Sequence, residues 1–181
     1  MDRIKEMISK INKNQFLGIL VLIIVGPCIA GCTVNYSMGG ANIEPDVKTL
    51  TIDRIPNRAP SGPPGMSQLF TNKLKDRFQS QTSLKFVESR GDLQFSGEIT
   101  DYSTEPKSVT GDERASMTRL IITVHIKFTN QKHPDNSFET NFSQYEDFES
   151  SKNLSAVEDQ LVEDISEKLI DDIFNKAVVN W

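Results

Sequence analysis

Cysteine is scarce in this 181-residue chain, and both cysteines lie near the N-terminus. Cys28 and Cys32 are separated by only three residues, and no cysteine follows them in the sequence. A disulfide framework needs cysteines distributed over a domain, and a cysteine metal site needs thiolates at characteristic spacings. Both are therefore excluded for the body of the protein.

Histidine is equally scarce, because His125 and His133 are the only two in the chain. Their spacing does not match the HExxH pattern of zinc proteases. The sequence also lacks a G-x-S-x-G nucleophile elbow, a phosphate-binding P-loop and a G-x-G-x-x-G dinucleotide loop. Without a base placed beside a nucleophile, we predict no catalytic residues, no cofactor and no metal site.

A surplus of positive charge is absent as well. The chain has 20 Lys and Arg residues against 25 Asp and Glu residues, which gives a formal net charge of −5 and a pI near 5.1. Nucleic-acid-binding domains usually carry a basic face, so this balance argues against a nucleic-acid partner. With 37% hydrophobic residues, the length suits one globular domain with appendages.

The most apolar stretch, FLGILVLIIVGPCIAGC, begins at Phe16 and follows a segment rich in basic residues. Its uninterrupted part ends before Pro27, so it is shorter than the roughly 20 residues of a membrane-spanning helix. A positive segment followed by a short apolar core is typical of a signal peptide. The alternative is an N-terminal membrane anchor that is never cleaved.

The end of this stretch, IAGC at residues 29–32, resembles a bacterial lipobox. In lipoproteins, cleavage precedes the cysteine, which then receives a diacylglycerol and a fatty acyl chain such as palmitate. We therefore predict cleavage between Gly31 and Cys32 and lipidation of Cys32, which would discard Cys28. Several acyl chains, at about 0.8 kcal/mol per buried CH₂, form a stable membrane anchor.

Three regions follow from this interpretation: a signal peptide at 1–31, a lipidated flexible tether at 32–46 and a single α+β domain at 47–181. Cleavage would change the net charge from −5 to −7, because residues 1–31 hold four basic and two acidic side chains. The residue directly after Cys32 is not an aspartate, and no acidic run follows the cysteine. By analogy with lipoprotein sorting, we predict a location on the periplasmic side of the outer membrane.

Alternating hydrophobicity predicts the strands. Residues 117–130 alternate best, and 93–106 show the same period. Residues 138–150 form the second arm of a hairpin with 117–130, and 47–55 are rich in β-forming residues. The short segment 84–89 is ambiguous and is expected to lead into the next strand through a turn. On 117–130 the predicted core face consists of Leu120, Ile122, Val124, Ile126 and Phe128.

Apolar residues at helical spacing predict two helices. The first covers about 66–82, with Ser67 as its cap. The second covers about 156–178, with Ser155 and Glu158 as a capping box and a solvated acidic face opposite its apolar stripe. The predicted fold is therefore an α+β two-layer sandwich in the order β-α-β-β-β-α, with two helices packed on a mostly antiparallel four-stranded sheet.

The polar face of the strand at 117–130 carries Arg119, His125 and Lys127. Basic side chains on a strand can hold phosphate groups, and phosphorylated glycolipid is abundant at an outer membrane. The alternative is an ordinary solvated strand face, since isolated surface charges are common.

Several segments of the chain resemble a known family. These are LFTNKLKDRFQSQTSL, GDLQFSGEITDYS, RLIITVHIKFTN, FSQYEDF and NLSAVEDQLVEDISEKLIDDIFNKAVVNW. Together with the lipobox and the predicted element order, they resemble the lipopolysaccharide (LPS) assembly lipoproteins of the LptE family, in the form found in Bacteroidota. The resemblance covers nearly all of the chain after Cys32.

The resemblance implies a protein that plugs the β-barrel of the translocon protein LptD, assists its assembly and helps to deliver LPS to the outer leaflet. The implied partners are an LptD-type barrel, LPS and a membrane reached through the lipid anchor. From the strand pattern, Arg119 and Lys127 are the candidates for LPS contact. The competing hypothesis is a stand-alone periplasmic lipoprotein that binds a lipid or a glycan in a deep apolar pocket.

The lipobox interpretation predicts that Cys32→Ala abolishes acylation, because the sulfur atom is the attachment point. Cys28→Ala is the matched control and should be processed like the wild type, because residue 28 is removed with the signal peptide. Intact-mass spectrometry of protein from native membranes measures both. An acylated Cys32→Ala product, or an uncut wild-type N-terminus, would contradict the prediction.

Overall fold

The computed structural model describes residues 43–107 and 116–178. The predicted signal peptide, its cleavage site at Gly31 and Cys32, and the tether up to residue 42 lie outside the described residues and stay predictions. The predicted domain is described apart from residues 108–115 and 179–181.

Two helices and five strands make up the described part of the chain. The strands are β1 (Thr49–Ile52), β2 (Lys85–Phe86), β3 (Leu93–Lys107), β4 (Met117–Asn130) and β5 (Phe138–Glu149). The helices are α1 (Met66–Gln81) and α2 (Leu154–Val178), and a short 3₁₀ helix, Pro134–Asn136, precedes β5. The strands form one sheet in the order β2-β1-β3-β4-β5.

The predicted α+β class, with two helices on a sheet, is confirmed, whereas the predicted strand number and pairing need correction. The sheet has five strands and is mixed: β1 pairs in parallel with both β2 and β3, and β4 pairs in antiparallel fashion with both β3 and β5. The ambiguous segment 84–89 contains the fifth strand. Two residues are too few to show an alternating pattern, so hydrophobicity alone could not separate β2 from a turn.

The alternation in β4 is confirmed, because all five predicted core residues of this strand are buried. Strand β3 changes its alternation partway along. Leu93, Phe95 and Ile99 are buried, but the register with β4 shifts after Ile99, so that the next buried residue is Tyr102. A β-bulge of this kind adds one residue to a strand. The buried positions of β3 therefore change from odd-numbered residues before the bulge to even-numbered residues after it.

The segment after β1 remains extended along β3. Pro56 accepts a hydrogen bond from the Ile99 amide at 2.9 Å, and the Arg58 amide donates to the Ile99 carbonyl at 2.9 Å. This segment therefore satisfies β3 backbone groups beyond the point where β1 ends. The prolines that follow stop it from continuing as a regular strand, because proline lacks a backbone N–H donor.

Helix α1 begins after Gly65, and no side chain caps its first turn. The prediction that Ser67 caps this helix is wrong, because Ser67 lies inside the helix and is buried. Its hydroxyl instead donates to the Ile55 carbonyl at 2.7 Å and so attaches α1 to the segment after β1. The apolar stripe of Phe70, Leu74 and Phe78 is buried as predicted.

Helix α2 begins two residues before the predicted start, at Leu154. Asn153 takes the capping position, since its side-chain oxygen accepts from the amide of Ser155 at 3.2 Å. The predicted capping box of Ser155 and Glu158 is therefore wrong. The Glu158 carboxylate accepts a hydrogen bond from the Tyr102 hydroxyl, and burial together with this bond raises the pKa of Tyr102.

The core between the helices and the sheet is dominated by a chain of aromatic rings. Phe78 of α1 lies 4.9 Å from Phe95 of β3 and 5.0 Å from Phe174 of α2, measured between ring centroids. Phe95 contacts Phe128 of β4 at 4.8 Å. Both helices and both central strands thus meet in one cluster, and tilted ring pairs of this kind stabilise a core beyond simple area burial.

Gly97 provides a test of the β3–β4 contact. A Cβ atom at this position would lie 2.1 Å from the carbonyl oxygen of His125, a backbone atom that is fixed by strand pairing. We expect Gly97→Ala to lower the free energy of unfolding by about 2 kcal/mol or more. Gly65→Ala is the control, because nothing lies within 4 Å of its added Cβ, and it should cost less than about 1 kcal/mol. Chemical denaturation of the two variants in detergent measures both values, and equal losses would contradict the expectation.

Candidate interaction surface

The open face of the sheet is the side of β3, β4 and β5 that points away from the helices. It exists because the buried residues of each strand alternate with residues directed outward. Cross-strand pairing brings these outward side chains together in rows. The members include Glu98, Asp101, Ser103, Glu105 and Lys107 from β3, Arg119, Ile121, Thr123, His125 and Lys127 from β4, and Glu139, Asn141, Ser143, Tyr145, Asp147 and Glu149 from β5.

Arg119 lies on the open face, as predicted, with its guanidinium group bound by neighbours. Its Nε donates to Oδ1 of Asp147 at 2.8 Å and its Nη2 donates to Oδ2 at 3.2 Å. The guanidinium carbon lies 3.6 Å from the ring centroid of Tyr145. The Lys107 ammonium also donates to Asp147, at 2.8 Å. The bidentate hydrogen bond between Arg119 and Asp147 fixes the Arg119 side chain more firmly than a single hydrogen bond would.

The charges around Asp147 shift its titration. The hydrogen bond from Arg119 is the main cause, with a further bond from Lys107, and together they lower the pKa of Asp147 to about 2. The Asp147 carboxylate in turn raises the pKa of Arg119. Asp147 therefore stays ionised at any pH at which the protein is expected to work.

Lys127 is the more accessible of the two predicted LPS-contact residues. Its side chain is 59% exposed, and its ammonium lies 3.8 Å from a carboxylate oxygen of Glu139. His125, in the same row, has ring nitrogens 2.8 Å from Oδ1 of Asn141 and 3.0 Å from Oε1 of Glu139. These acceptors, Asn141 first, raise the pKa of His125 because they favour the protonated ring.

The open face carries more acidic than basic side chains. Its cationic members are Lys107, Arg119 and Lys127, and its carboxylates are Glu98, Asp101, Glu105, Glu139, Asp147 and Glu149. Hydroxyl groups occupy the positions between them, and Thr123 donates to Ser143 at 3.0 Å. The face is therefore a hydrogen-bonding surface with an excess of acidic groups, suited to a polar partner surface.

The helical side of the domain has an ionic seam that the sequence pattern did not reveal. Lys73 of α1 lies 2.9 Å from Glu163 and 2.7 Å from Glu167 of α2, and Arg77 lies 2.8 Å from Asp171. The acidic face of α2 is thus partly engaged by α1 and is not wholly solvated. In the sequence, the basic residues of α1 and the acidic residues of α2 each recur at four-residue spacing. This spacing places each group on one face of its helix, but it does not show that the two helices lie side by side.

The leading segment, residues 43–46, contacts the turn between β4 and β5. Glu44 accepts a hydrogen bond from the Asn136 side chain at 2.9 Å, and Asp46 lies 3.1 Å from Nε2 of His133. Ile43 packs against the core. The contact with Asp46 raises the pKa of His133, and His133 lowers the pKa of Asp46. This part of the predicted tether is therefore attached to the domain.

The described residues contain no group of three His, Cys, Asp or Glu side chains that could hold a metal ion. Across the same two ranges, no helix combines the length and the apolar character that a membrane span requires.

The Arg119–Asp147 pair predicts a defined pH dependence. Because the folded-state pKa of Asp147 lies below its ordinary value near 4, the pair stabilises the fold above about pH 4, and this stabilisation is lost as the pH falls through about 2. Arg119→Gln should raise the pKa of Asp147 to about 3 or above. Lys127→Gln is the control and should leave it unchanged. NMR titration of the carboxyl group reports both, and an unaltered pKa in Arg119→Gln would refute the assignment.

Comparison with known proteins identifies the family. The family model of the lipopolysaccharide-assembly LptE proteins matches residues 47–177. No curated protein matches the chain by sequence. Similar solved structures include a hypothetical protein from Chlamydia trachomatis, with 10% identity, a TM-score of 0.50 and coverage of 74% of this chain and 99% of that one.

Two further structures are similar. A putative neuraminyllactose-binding hemagglutinin homolog from Helicobacter pylori has 9% identity, a TM-score of 0.50 and coverage of 78% of this chain and 88% of that chain. Lipoprotein B from Nitrosomonas europaea has 16% identity, a TM-score of 0.42 and coverage of 71% and 80%. At these identities the first two show a shared fold only. The family match spans nearly the whole described domain, and the chain therefore belongs to the LptE family of lipopolysaccharide-assembly proteins.

Proposed function

We propose that this LptE-family protein is the lipoprotein subunit of an LPS translocon. Acyl chains on Cys32 hold it to the periplasmic side of the outer membrane. The domain occupies the lumen of an LptD-type β-barrel, assists the assembly of that barrel and helps to deliver LPS to the outer leaflet, without catalysing a reaction. The single observation that carries the proposal is the family match over residues 47–177.

The chemistry of the open face supports a place inside a barrel. The lumen of a large outer-membrane barrel is polar, so a plug needs a surface that exchanges its hydrogen bonds with water for bonds to polar side chains. The open face offers hydroxyl, amide and charged groups across three strands. Several of its charges are matched locally, for example between Arg119 and Asp147, so that contact with a polar wall leaves those ions paired.

Lys127 and Arg119 are the proposed contacts for LPS phosphates. Lys127 supports this role through its exposure, because among the described residues Glu139 is the one carboxylate within 4 Å of its ammonium group. Arg119 would need to exchange part of its bond with Asp147 for a phosphate, and Tyr145 would keep the guanidinium in place during that exchange. We therefore expect Lys127 to contribute more than Arg119.

The alternative function is a stand-alone lipoprotein that binds a lipid or glycan. One observation favours it: Phe86 and Val87 are exposed beside Ile52, around a depression of about 360 Å³. This volume lies at the small end of ligand pockets, and Lys75 and Glu88 also line it. A larger depression, of about 520 Å³, is lined by charged side chains such as Lys73 and Asp171. We consider the translocon role better supported.

Affinity purification distinguishes the two functions. The full chain with a C-terminal tag, extracted in detergent from native membranes, should recover a large outer-membrane β-barrel, identified by mass spectrometry. A similarly tagged unrelated outer-membrane lipoprotein is the control and should not recover it. Depletion of the protein should reduce surface-exposed LPS, measured by labelling of intact cells. Recovery of a monomer without a barrel partner, with unchanged surface LPS, would favour the stand-alone module.

A further inference from the structure

We propose that the outer edge of β5 is the docking site for an extended segment of the barrel partner, which adds to the sheet as a further strand beside β5. The β5 edge is the long side of Phe138–Glu149 that faces away from β4, and β5 is the last strand of the sheet on this side. This inference rests on the proposed function, because it takes the barrel as the partner. It adds the mode of contact, which is backbone pairing along one strand.

The backbone of β5 alternates between groups that bind β4 and groups that point outward. The Ser150 amide donates to the Ser116 carbonyl at 2.9 Å, and the pairing with β4 runs from Glu149 to Phe138 without a register shift. In an antiparallel ladder, every second residue exchanges hydrogen bonds with the neighbouring strand. The even-numbered residues of β5 therefore bind β4, and the amides and carbonyls of its odd-numbered residues line the β5 edge.

The domain itself uses few of these outward groups. The Tyr145 carbonyl accepts from the Lys168 ammonium at 3.4 Å, and the Glu149 carbonyl accepts from the Lys152 amide at 2.9 Å. Within residues 43–107 and 116–178, four edge residues have neither their amide nor their carbonyl bonded to another group: Glu139, Asn141, Ser143 and Asp147. An approaching strand can therefore form a regular ladder along most of β5.

The other free edges of the described sheet are protected from pairing, whereas the β5 edge is open. Strand β2 has only two residues, which are too few for a stable ladder. The far part of β3 is free beyond Ile99, where the segment after β1 makes its last described bond, but Pro106 interrupts it. Strand β5 has 12 residues and is about 40 Å long, without a bulge, a proline, a lysine or an arginine.

The helical side of the β5 edge leaves aromatic surface uncovered. The aromatic chain of the core continues from Phe128 to Phe138 and on to Phe142, with ring centroids 5.1 and 6.2 Å apart. Phe128 is buried, whereas Phe138 and Phe142 are only partly buried. Side chains of an added strand would lie about 5 Å from those of β5. The segment therefore needs apolar side chains on this side and polar ones beside Asn141 and Ser143 on the open face.

The carboxylates of β5 do not repel such a segment, because the domain neutralises each of them. All four lie within 4 Å of a basic side chain: Glu139 near Lys127, Glu146 near Lys168, Asp147 near Arg119 and Lys107, and Glu149 near Lys152. The β5 edge therefore selects its partner by backbone pairing and by the apolar contact with Phe138 and Phe142.

A position inside the barrel makes this pairing favourable. Unpaired backbone groups cost little in water, but they need partners wherever a protein surface excludes water. In the proposed complex the barrel surrounds the domain, so the outward groups of β5 require donors and acceptors from the barrel. An extended segment supplies both at the spacing of the strand.

A proline substitution tests the backbone pairing. Ser143→Pro removes one outward amide and leaves the bonds of Phe142 and Gln144 to β4 in place. The full, acylated protein is purified from native membranes through a C-terminal tag, and quantitative mass spectrometry measures the recovered barrel. We expect Ser143→Pro to recover less barrel than the wild type by about fivefold or more, because it loses a hydrogen bond and its ring obstructs the added strand.

Thr104→Pro is the matched control. Thr104 and Pro106 pair with Leu120 and Thr118, which belong to the even-numbered residues of β4 that bind β5. The Thr104 amide therefore also points away from β4, and the substitution introduces the same ring on an edge that already carries a proline. Barrel recovery should stay within about twofold of the wild type. Circular dichroism and thermal unfolding check the fold of both variants.

Residue-resolved hydrogen exchange gives a second measurement that needs no variant, and it decides the question if Ser143→Pro fails to fold. In the isolated wild-type protein, the amides of Asn141 and Ser143 should exchange fast and those of Phe142 and Gln144 slowly, because only the second pair binds β4. In the purified complex with the barrel, exchange at Asn141 and Ser143 should slow by about tenfold or more.

Several results would overturn the inference. They are equal barrel recovery by the wild type and a folded Ser143→Pro variant, an equal loss in Thr104→Pro, and unchanged exchange at Asn141 and Ser143 in the complex. Slow exchange at these two residues in the isolated protein would also overturn it, because a second copy or another segment of this chain would then occupy the edge. Light scattering distinguishes those two occupants.

Failure of the inference is distinguishable from failure of the proposed function. Each of these results leaves the translocon role intact as long as the wild-type protein recovers the barrel. If the wild type recovers no barrel, the proposed function itself fails, and the strand pairing fails with it.

Discussion

The burial of alternate β4 side chains beneath two helices is the constraint on which the rest of the structure depends. Leu120, Ile122, Val124, Ile126 and Phe128 all point into the core, where Phe128 joins the aromatic chain that continues through Phe95 and Phe78. Because side chains alternate along a strand, this closed face requires an open face on the other side. The sheet therefore has one surface for stability and another for interaction.

Oppositely charged residues form pairs both on the open face of the sheet and on the helical side of the domain. On the open face, Arg119 and Asp147 neutralise each other, and on the helical side Lys73 of α1 pairs with Glu163 and Glu167 of α2 at the surface. Exposed pairs of this kind contribute little stability individually. Together with the other ion pairs they hold nine of the fifteen Lys and Arg side chains of the described residues within 4 Å of a carboxylate.

Membership of the LptE family gives these surfaces a context. The proposed role requires a domain with a filled core, a polar outside and a fixed point of attachment. The open face provides the polar surface, and the leading segment bound to the β4–β5 turn provides the attachment. In the proposed role, the protein acts through the position in which the domain is held and through the surface that it presents to its partner. The role requires no reactive side chain.

Local pattern in the sequence was sufficient for the elements that are long and one-sided. The alternation of β4 predicted its buried face, and helical spacing predicted α1 and most of α2, because each pattern records which side of an element avoids water. The open-face position of Arg119 and Lys127 followed from the same alternation.

Tertiary structure alone decided the remaining features, since each depends on residues far apart in the chain. Strand β2 exists because β1 offers it a parallel partner, Ser67 binds Ile55 instead of capping α1, and Arg119 is paired because β5 places Asp147 beside it. Contacts between residues that are far apart in the chain leave no pattern in the local sequence. The sequence therefore determined which face of each strand and helix is buried, and only the tertiary structure determined which residues those faces contact.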